Sequence, residues 1–182
     1  VAPIEPEKRW GAYLSGPIIK DRLFIFGAYE HQEAGQSQDE GPTGAGYPNE
    51  QVGISVAQFN EISDVLSSVY GIETGPLVTS RPFSNDRYFV RGDLQITDNH
   101  RLEATYQRLE ETNVESDFGS QNLTGLNSFE DEGTISDYYS MQLYSQWSDA
   151  VSTELRVSRS DVSDVQGPLG FDEANEPNAA VR

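Results

Sequence analysis

No cysteine occurs among the 182 residues, which removes disulfides, thiolate metal sites and cysteine nucleophiles together. Basic residues are scarce too: 12 Lys and Arg stand against 30 Asp and Glu, a formal net charge of −18. Nucleic-acid binding needs clustered cations along a phosphate backbone, so no nucleic acid is expected as a partner. The two histidines, His31 and His100, have no Ser or Asp arrangement beside them that would make a catalytic triad. No apolar run approaches the roughly 20 residues of a membrane-spanning helix, and the opening VAPIEPEKRW lacks the charged-then-apolar pattern of a leader. A β-barrel wall shows neither feature. Hydrophobic residues make up 36% of the chain, too few for one thick core unless they are concentrated.

They are concentrated in three stretches of one design, residues 10–32, 87–110 and 137–160, each reading as two strands of about ten residues joined by a very short turn. Alternation is clearest in the middle one, RYFVRGDLQITDNHRLEATYQRL. Tyr88, Val90, Leu94 and Ile96 fall on one face of its first strand and Arg91, Asp93 and Gln95 on the other. Leu102, Ala104 and Tyr106 likewise oppose Arg101 and Glu103 on the second.

Matching face to face with a three-residue turn Asp98-Asn99-His100 sets Ile96 across from Leu102, Leu94 from Ala104 and Gly92 from Tyr106. Turns at Lys20-Asp21-Arg22 and Asp149-Ala150-Val151 then pair Ile18 with Phe24, Gly16 with Phe26 and Leu14 with Ala28, and Trp147 with Thr153 and Leu143 with Val157. The expected apolar, lipid-facing set is Leu14, Ile18, Phe24, Phe26, Val90, Leu94, Ile96, Leu102, Tyr106, Met141, Leu143, Leu155 and Val157. The expected polar, lumen-facing set is Arg91, Asp93, Arg101, Glu103, Glu154 and Arg156, pairing with one another. In the first hairpin Pro17, Leu23 and Ile25 fall on the face assigned to the lumen, so both faces are apolar there.

Between the hairpins lie long acidic segments rich in Gly, Ser and Asn: residues 33–86, 111–136 and, at the end, 161–182. Long and short connections alternate strictly, as in outer-membrane barrels, which turn tightly at the periplasmic end and carry long loops outside. Within the first long loop SVAQFNEISDVLSSVYG predicts a helix over about 55–70. Ser55 and Gln58 form its capping box, Val56, Phe59, Ile62, Leu66 and Val69 an apolar stripe, and Gly71 its stop.

Ten residues at about 3.3 Å each, tilted near 40°, cross about 25 Å, the height of a barrel's apolar band. Trp10, Tyr29, Tyr88, Tyr106, Tyr139 and Trp147 fall near predicted strand ends, at girdle height. The expected fold is therefore all-β: an antiparallel up-and-down transmembrane barrel wall of about six strands as three hairpins. Six strands do not close a barrel, so residues 1–182 read as part of a larger one.

The residues SGPIIKDRLFIFGAYE (Ser15 to Glu30), with VLSSVYG (Val65 to Gly71), DLQITDNHRLEATYQ (Asp93 to Gln107) and TELRVSRS (Thr153 to Ser160) in the same order, resemble TonB-dependent outer-membrane receptors of the Oar-like type. The resemblance covers roughly residues 10–161. It implies a 22-stranded barrel holding an N-terminal plug, a periplasmic TonB box pulled by an inner-membrane motor, and energised uptake of a bulky nutrient such as a siderophore, peptide or glycan. The partners implied are the rest of the barrel and its plug, the TonB complex through a segment N-terminal to these residues, outer-membrane lipid and lipopolysaccharide of a Gram-negative bacterium, and an unknown imported solute. Plug, TonB box, leader and aromatic terminal strand are not spelled by these residues, so a wall segment with its outer loops is expected. The competing reading is a secreted β-sandwich or adhesin module that binds carbohydrate or protein through its loops.

Other motifs carry less. Arg91-Gly92-Asp93 spells an adhesion tripeptide, but alternation puts both charges on a strand face. Glu130-Asp131-Glu132, Asp137 and Asp172-Glu173 offer hard oxygens without the regular spacing of a calcium loop and read as solvated loop charge. Gly41 to Gly46 lacks the Lys-Ser/Thr of a phosphate loop. Asn122-Leu123-Thr124 is a glycosylation sequon by pattern only. Tyr47 and Tyr70 either cover the loop's own core or meet a solute. No catalytic residue, cofactor or metal site is expected.

Overall fold

The computed structural model describes residues 6–116 and 123–169. Asn122 of the sequon and Asp172-Glu173 lie outside the described residues. Among the described residues eight strands form: β1 (Lys8–Ile19), β2 (Leu23–Ser37), β3 (Glu40–Thr43), β4 (Asn49–Ser55), β5 (Ser80–Thr97), β6 (His100–Ser116), β7 (Phe129–Ser148) and β8 (Val151–Pro168). Six of them make one antiparallel sheet in the order β1-β2-β5-β6-β7-β8, while β3 and β4 pair in parallel as a separate ribbon. All-β architecture and three up-and-down hairpins are thus present. The strands overrun their predicted limits on the loop side: β7 holds 20 residues and β5 and β8 hold 18 each.

The three bends sit side by side at one margin of the sheet, where Gln95 N donates to Arg22 O at 2.7 Å and Gln146 N to Asn99 O at 2.8 Å. Each hairpin carries a bulge just before its bend, at Ile18, Ile96 and Trp147. A bulge sets two residues against one and so alters the pairing beyond it. In the second and third hairpins the bends have two residues, Asp98-Asn99 and Asp149-Ala150, and not the predicted three. Leu94 there opposes Leu102, Val90 opposes Tyr106, Gly92 opposes Ala104 and Leu143 opposes Leu155. The shift of two residues from the expected register keeps every side chain on its expected face.

The first hairpin does keep its three-residue bend, with Ile19 opposite Leu23 and Asp21 at φ 59. Aspartate tolerates this left-handed conformation. Its bulge, however, moves the body of the hairpin by one: Leu14 opposes Gly27, Gly16 opposes Ile25 and Ser15 opposes Phe26. Phe26 also lies opposite Arg91 and Phe24 opposite Asp93. Phe24 and Phe26 therefore belong to the charged face, and Leu23 and Ile25 to the face of Leu94 and Gly92, which corrects the expected assignment of β2.

Leu14, Val90, Leu94, Leu102, Tyr106, Met141, Leu143, Leu155 and Val157 share one face through unbroken pairings, and Arg91, Asp93, Arg101, Glu103, Glu154 and Arg156 share the other. Ile18 and Ile96 fall at the bulges. Among the described residues little covers the apolar face: Leu14 is 82% exposed, Leu155 63% and Val157 58%. Among the described residues the other sheet is the two-stranded β3–β4 ribbon. The chain does cover that face higher up, on the loop side. There Val78 and Leu126 pack on Val114 and Phe129, joined by the bridge of Leu77 to Gly125.

The predicted helix is present as α1 (Val56–Val65) and runs on as a wider turn over Leu66–Tyr70 that ends at Gly71, φ 71. Its capping box is formed: Gln58 N donates to Ser55 Oγ at 3.3 Å and Ser55 N to Gln58 Oε1 at 2.9 Å. Of the predicted stripe Phe59 is buried and Val69 is exposed. Ser55→Ala should destabilise this helix by about 1 kcal/mol, the usual worth of such a cap. Hydrogen exchange is expected to speed over residues 56–65 and to stay unchanged in β5–β8.

Candidate functional site

Three bands follow one another along the apolar face, each set by strand register. Nearest the bends, Trp147 and His100 meet at a steep tilt with ring centroids 4.9 Å apart. Next come Leu94, Leu102, Leu143 and Leu155, and beyond them Gly92, Ala104, Met141 and Val157. An aromatic row then crosses the sheet, with Trp10 to Tyr29 at 5.2 Å, Tyr29 to Tyr88 at 5.0 Å and Tyr106 to Tyr139 at 5.0 Å. From Tyr139 to Trp147 is eight steps of one strand, about 26 Å at 3.3 Å per residue.

Above the aromatic row the same face becomes charged. Tyr29 Oη and His31 Nδ1 both donate to Asp86, at 2.5 and 2.9 Å. Tyr106 Oη donates to Asp137 at 2.7 Å, and Arg108 bridges Asp137 and Glu110. The phenol oxygens thus point toward the charges while the rings stay with the apolar band, the stable posture for an amphipathic ring at a boundary.

The opposite face carries the predicted polar set, and its members do pair. Arg91 binds Asp93 at 2.8 Å and Glu103 at 2.9 Å. Arg101 lies 4.6 Å over the Tyr144 ring and 4.0 Å from Glu103. Gln142, buried, bonds both Glu154 and Arg156. The adhesion tripeptide is consumed by this network. Where the network ends, toward β1, Tyr13 and Phe26 stack at 6.1 Å and Phe26 meets Phe89 edge-on at 5.9 Å. Sequence reading missed this aromatic patch on the charged face, because Tyr13, Phe26 and Phe89 come together only through the β1–β2 and β2–β5 registers.

The loops dispose of several other readings. Backbone N–H groups of Gly44 and Gly46 donate to Glu50 at 3.0 and 2.8 Å, so the glycine run is clamped by the chain's own carboxylate. These bonds hold the Glu50 carboxyl below its ordinary pKa. Tyr47 Oη donates to Val78 O at 2.8 Å, and a Cβ at Gly41 would strike the Tyr47 ring at 2.0 Å, which makes Tyr47 a loop anchor. Tyr70 stays exposed. His31 and His100 lie at opposite ends of the apolar band. Among the described residues no three His, Asp or Glu side chains converge as a metal centre.

The hydrogen bond to Asp86, followed by the charges of Asp86 and Glu33, raises the His31 pKa above its ordinary value. A raised folded-state value means that protonated His31 stabilises the fold. That contribution is complete below the unfolded pKa of about 6.5 and is lost as pH climbs through the folded one. NMR titration should place the His31 midpoint above about 6.5, and Asp86→Asn should lower it. Comparison with protein-family models, with curated proteins and with solved structures gave no match for this chain.

Proposed function

We propose that this chain is a wall segment of an outer-membrane β-barrel, part of a TonB-dependent receptor that takes up a bulky nutrient such as a siderophore, peptide or glycan. The observation that carries the reading is the bare apolar face, bounded by aromatic rings at both ends and backed by a face of paired charges. In water, each fully exposed Leu, Val or Met side chain there forgoes about 1.5–3 kcal/mol of burial, and a contiguous apolar patch of this extent marks an interaction surface. Hydrocarbon supplies the missing cover without a second layer of protein. A band of about 26 Å along the strand becomes about 20 Å when strands tilt by some 40°, close to the apolar height of such barrels.

The edges point the same way. Among the described residues β1 and β8 each have a single neighbour, and unpaired backbone groups in lipid cost several kcal/mol apiece, so further strands would close the wall. The three adjacent bends form its periplasmic rim, and the long segments between hairpins face outward. The charged face then looks into the lumen. There the Arg91, Glu103 and Gln142 networks, with the Tyr13–Phe26–Phe89 patch, meet a plug or the passing solute. Partners in this reading are the rest of the barrel, its plug, the TonB complex, outer-membrane lipid with lipopolysaccharide, and the solute itself.

Spin labels at Leu94, Leu143 and Leu155 of the full-length protein in bilayers should be reached by lipid-soluble oxygen and shielded from aqueous quenchers, with labels at Glu103 and Arg156 showing the reverse. Shielding of the first set from both agents would establish a protein-covered face and end the membrane reading. Leu143→Arg should cost about 2–4 kcal/mol of membrane stability, as lipid-facing cations near the bilayer middle do, whereas Glu154→Arg should cost far less.

A further inference from the structure

Midway along the strands the charged face carries a neutral belt two rows deep. Strand register puts Tyr13, Phe89, Gln107 and Tyr138 in one row across the sheet, and Phe26, Arg91, Thr105 and Ser140 in the next row toward the bends. Residues opposed across a ladder share a face. Arg91 is the one charge in these rows, and Asp93 and Glu103 neutralise it. On the loop side the adjoining charge, Glu30, is held between Arg9 and Arg87. Two rings in the belt are open: Tyr13 is 78% exposed and Tyr138 46%. Tyr13 is backed by Phe26, whose ring plane lies 19° from its own, and Phe89 stands edge-on behind Phe26.

The groups left over define what fits. Between the two open rings the side chains of Thr105, Gln107 and Ser140 make no hydrogen bond with any described residue, so an amide and two hydroxyls keep their donors and acceptors unspent. An ionic solute group finds no free counter-charge in the belt, because Arg91 is already bonded twice. A purely apolar cover would bury the amide and hydroxyls without partners, which is costly. Open aromatic rings beside neutral donors and acceptors match a molecule that alternates C–H faces with hydroxyl rims, which is a sugar ring. We propose that the belt binds a neutral oligosaccharide lying across the strands. Tyr13 and Tyr138 stack on its rings and Gln107, Thr105 and Ser140 bond its hydroxyls. Tyr13 and Tyr138 stand four strands apart, about 19 Å along the sheet, so a chain of several sugars is needed to reach both. The inference rests on the reading of this sheet as a transporter wall and narrows its solute to the glycan class.

Calorimetric titration of the full-length protein in detergent with maltohexaose, cellohexaose and xylohexaose should show saturable binding of at least one. Tyr13→Ala and Tyr138→Ala should each weaken it about tenfold, Gln107→Ala should weaken it severalfold, and Tyr13→Phe should retain it. Ser163→Ala, on the opposite face, should leave it unchanged, and neither an acidic nor a basic hexapeptide should compete. Absence of binding by every hexaose, or full affinity in both alanine variants of the tyrosines, would overturn the site. So would competition by either peptide. A lower melting temperature of Tyr13→Ala with undiminished sugar affinity would make Tyr13 a seat for a plug and overturn it as well. Spin labels at Leu94 and Leu143 separate the two levels of failure: labels that meet lipid while no sugar binds sink the glycan site alone, whereas protein-covered labels sink the wall reading together with it.

Discussion

The pairing of β2 with β5 carries the sheet. Every other junction in it joins strands linked by a two- or three-residue bend or, for β6 and β7, by the dozen residues between Ser116 and Phe129. β2 meets β5 only after an excursion from Gln38 to Thr79, through the β3–β4 ribbon and α1. Closing so long a loop costs entropy that the fifteen pairings from Leu23–Leu94 to Ser37–Ser80 must repay. The same junction also decides which way β2 faces. Leu23, Ile25 and Tyr29 alternate with Phe24, Phe26 and Ala28, so β2 on its own has two apolar sides. β5 has one, and pairing Phe26 with Arg91 and Gly27 with Val90 imposes that choice on its neighbour.

Much of this was readable from residue order, and the parts that were not share a physical cause. Alternation in β5, β6 and the bend-side half of β7 separates charge from hydrocarbon so cleanly that a register error of two residues did no harm to the faces. The Ser55–Gln58 box marked the start of α1 because a cap is a local bond. Bulges left no trace, since Ile18, Ile96 and Trp147 are ordinary strand formers and the extra residue is visible only against its partner. The loop-side thirds of the strands read as loop because Ser80–Asp86, Glu111–Ser116 and Phe129–Ser136 are mostly polar, with Phe83, Val114, Phe129 and Ile135 too sparse to show alternation.

Charge is sorted along the strands. Arg9, Arg87, Arg91, Arg101, Arg108, Arg156 and Arg159 all sit on the sheet with carboxylate or aromatic partners. A chain with a formal charge of −18 is therefore close to balanced across its middle, and the surplus carboxylates gather toward the loops. Such a gradient places the strongest negative potential at the loop end of the sheet.

The overrun of the strands has a consequence of its own. β7 extends ten residues from Tyr139 back to Phe129, some 33 Å of ladder beyond the aromatic row. In the proposed barrel wall, a solute met by the outer segments would be held at the tip of a stiff, hydrogen-bonded pedestal, far from the lipid-anchored belt. Under that proposal loop sequence would be free to diversify, altering what is caught without disturbing how the wall is seated.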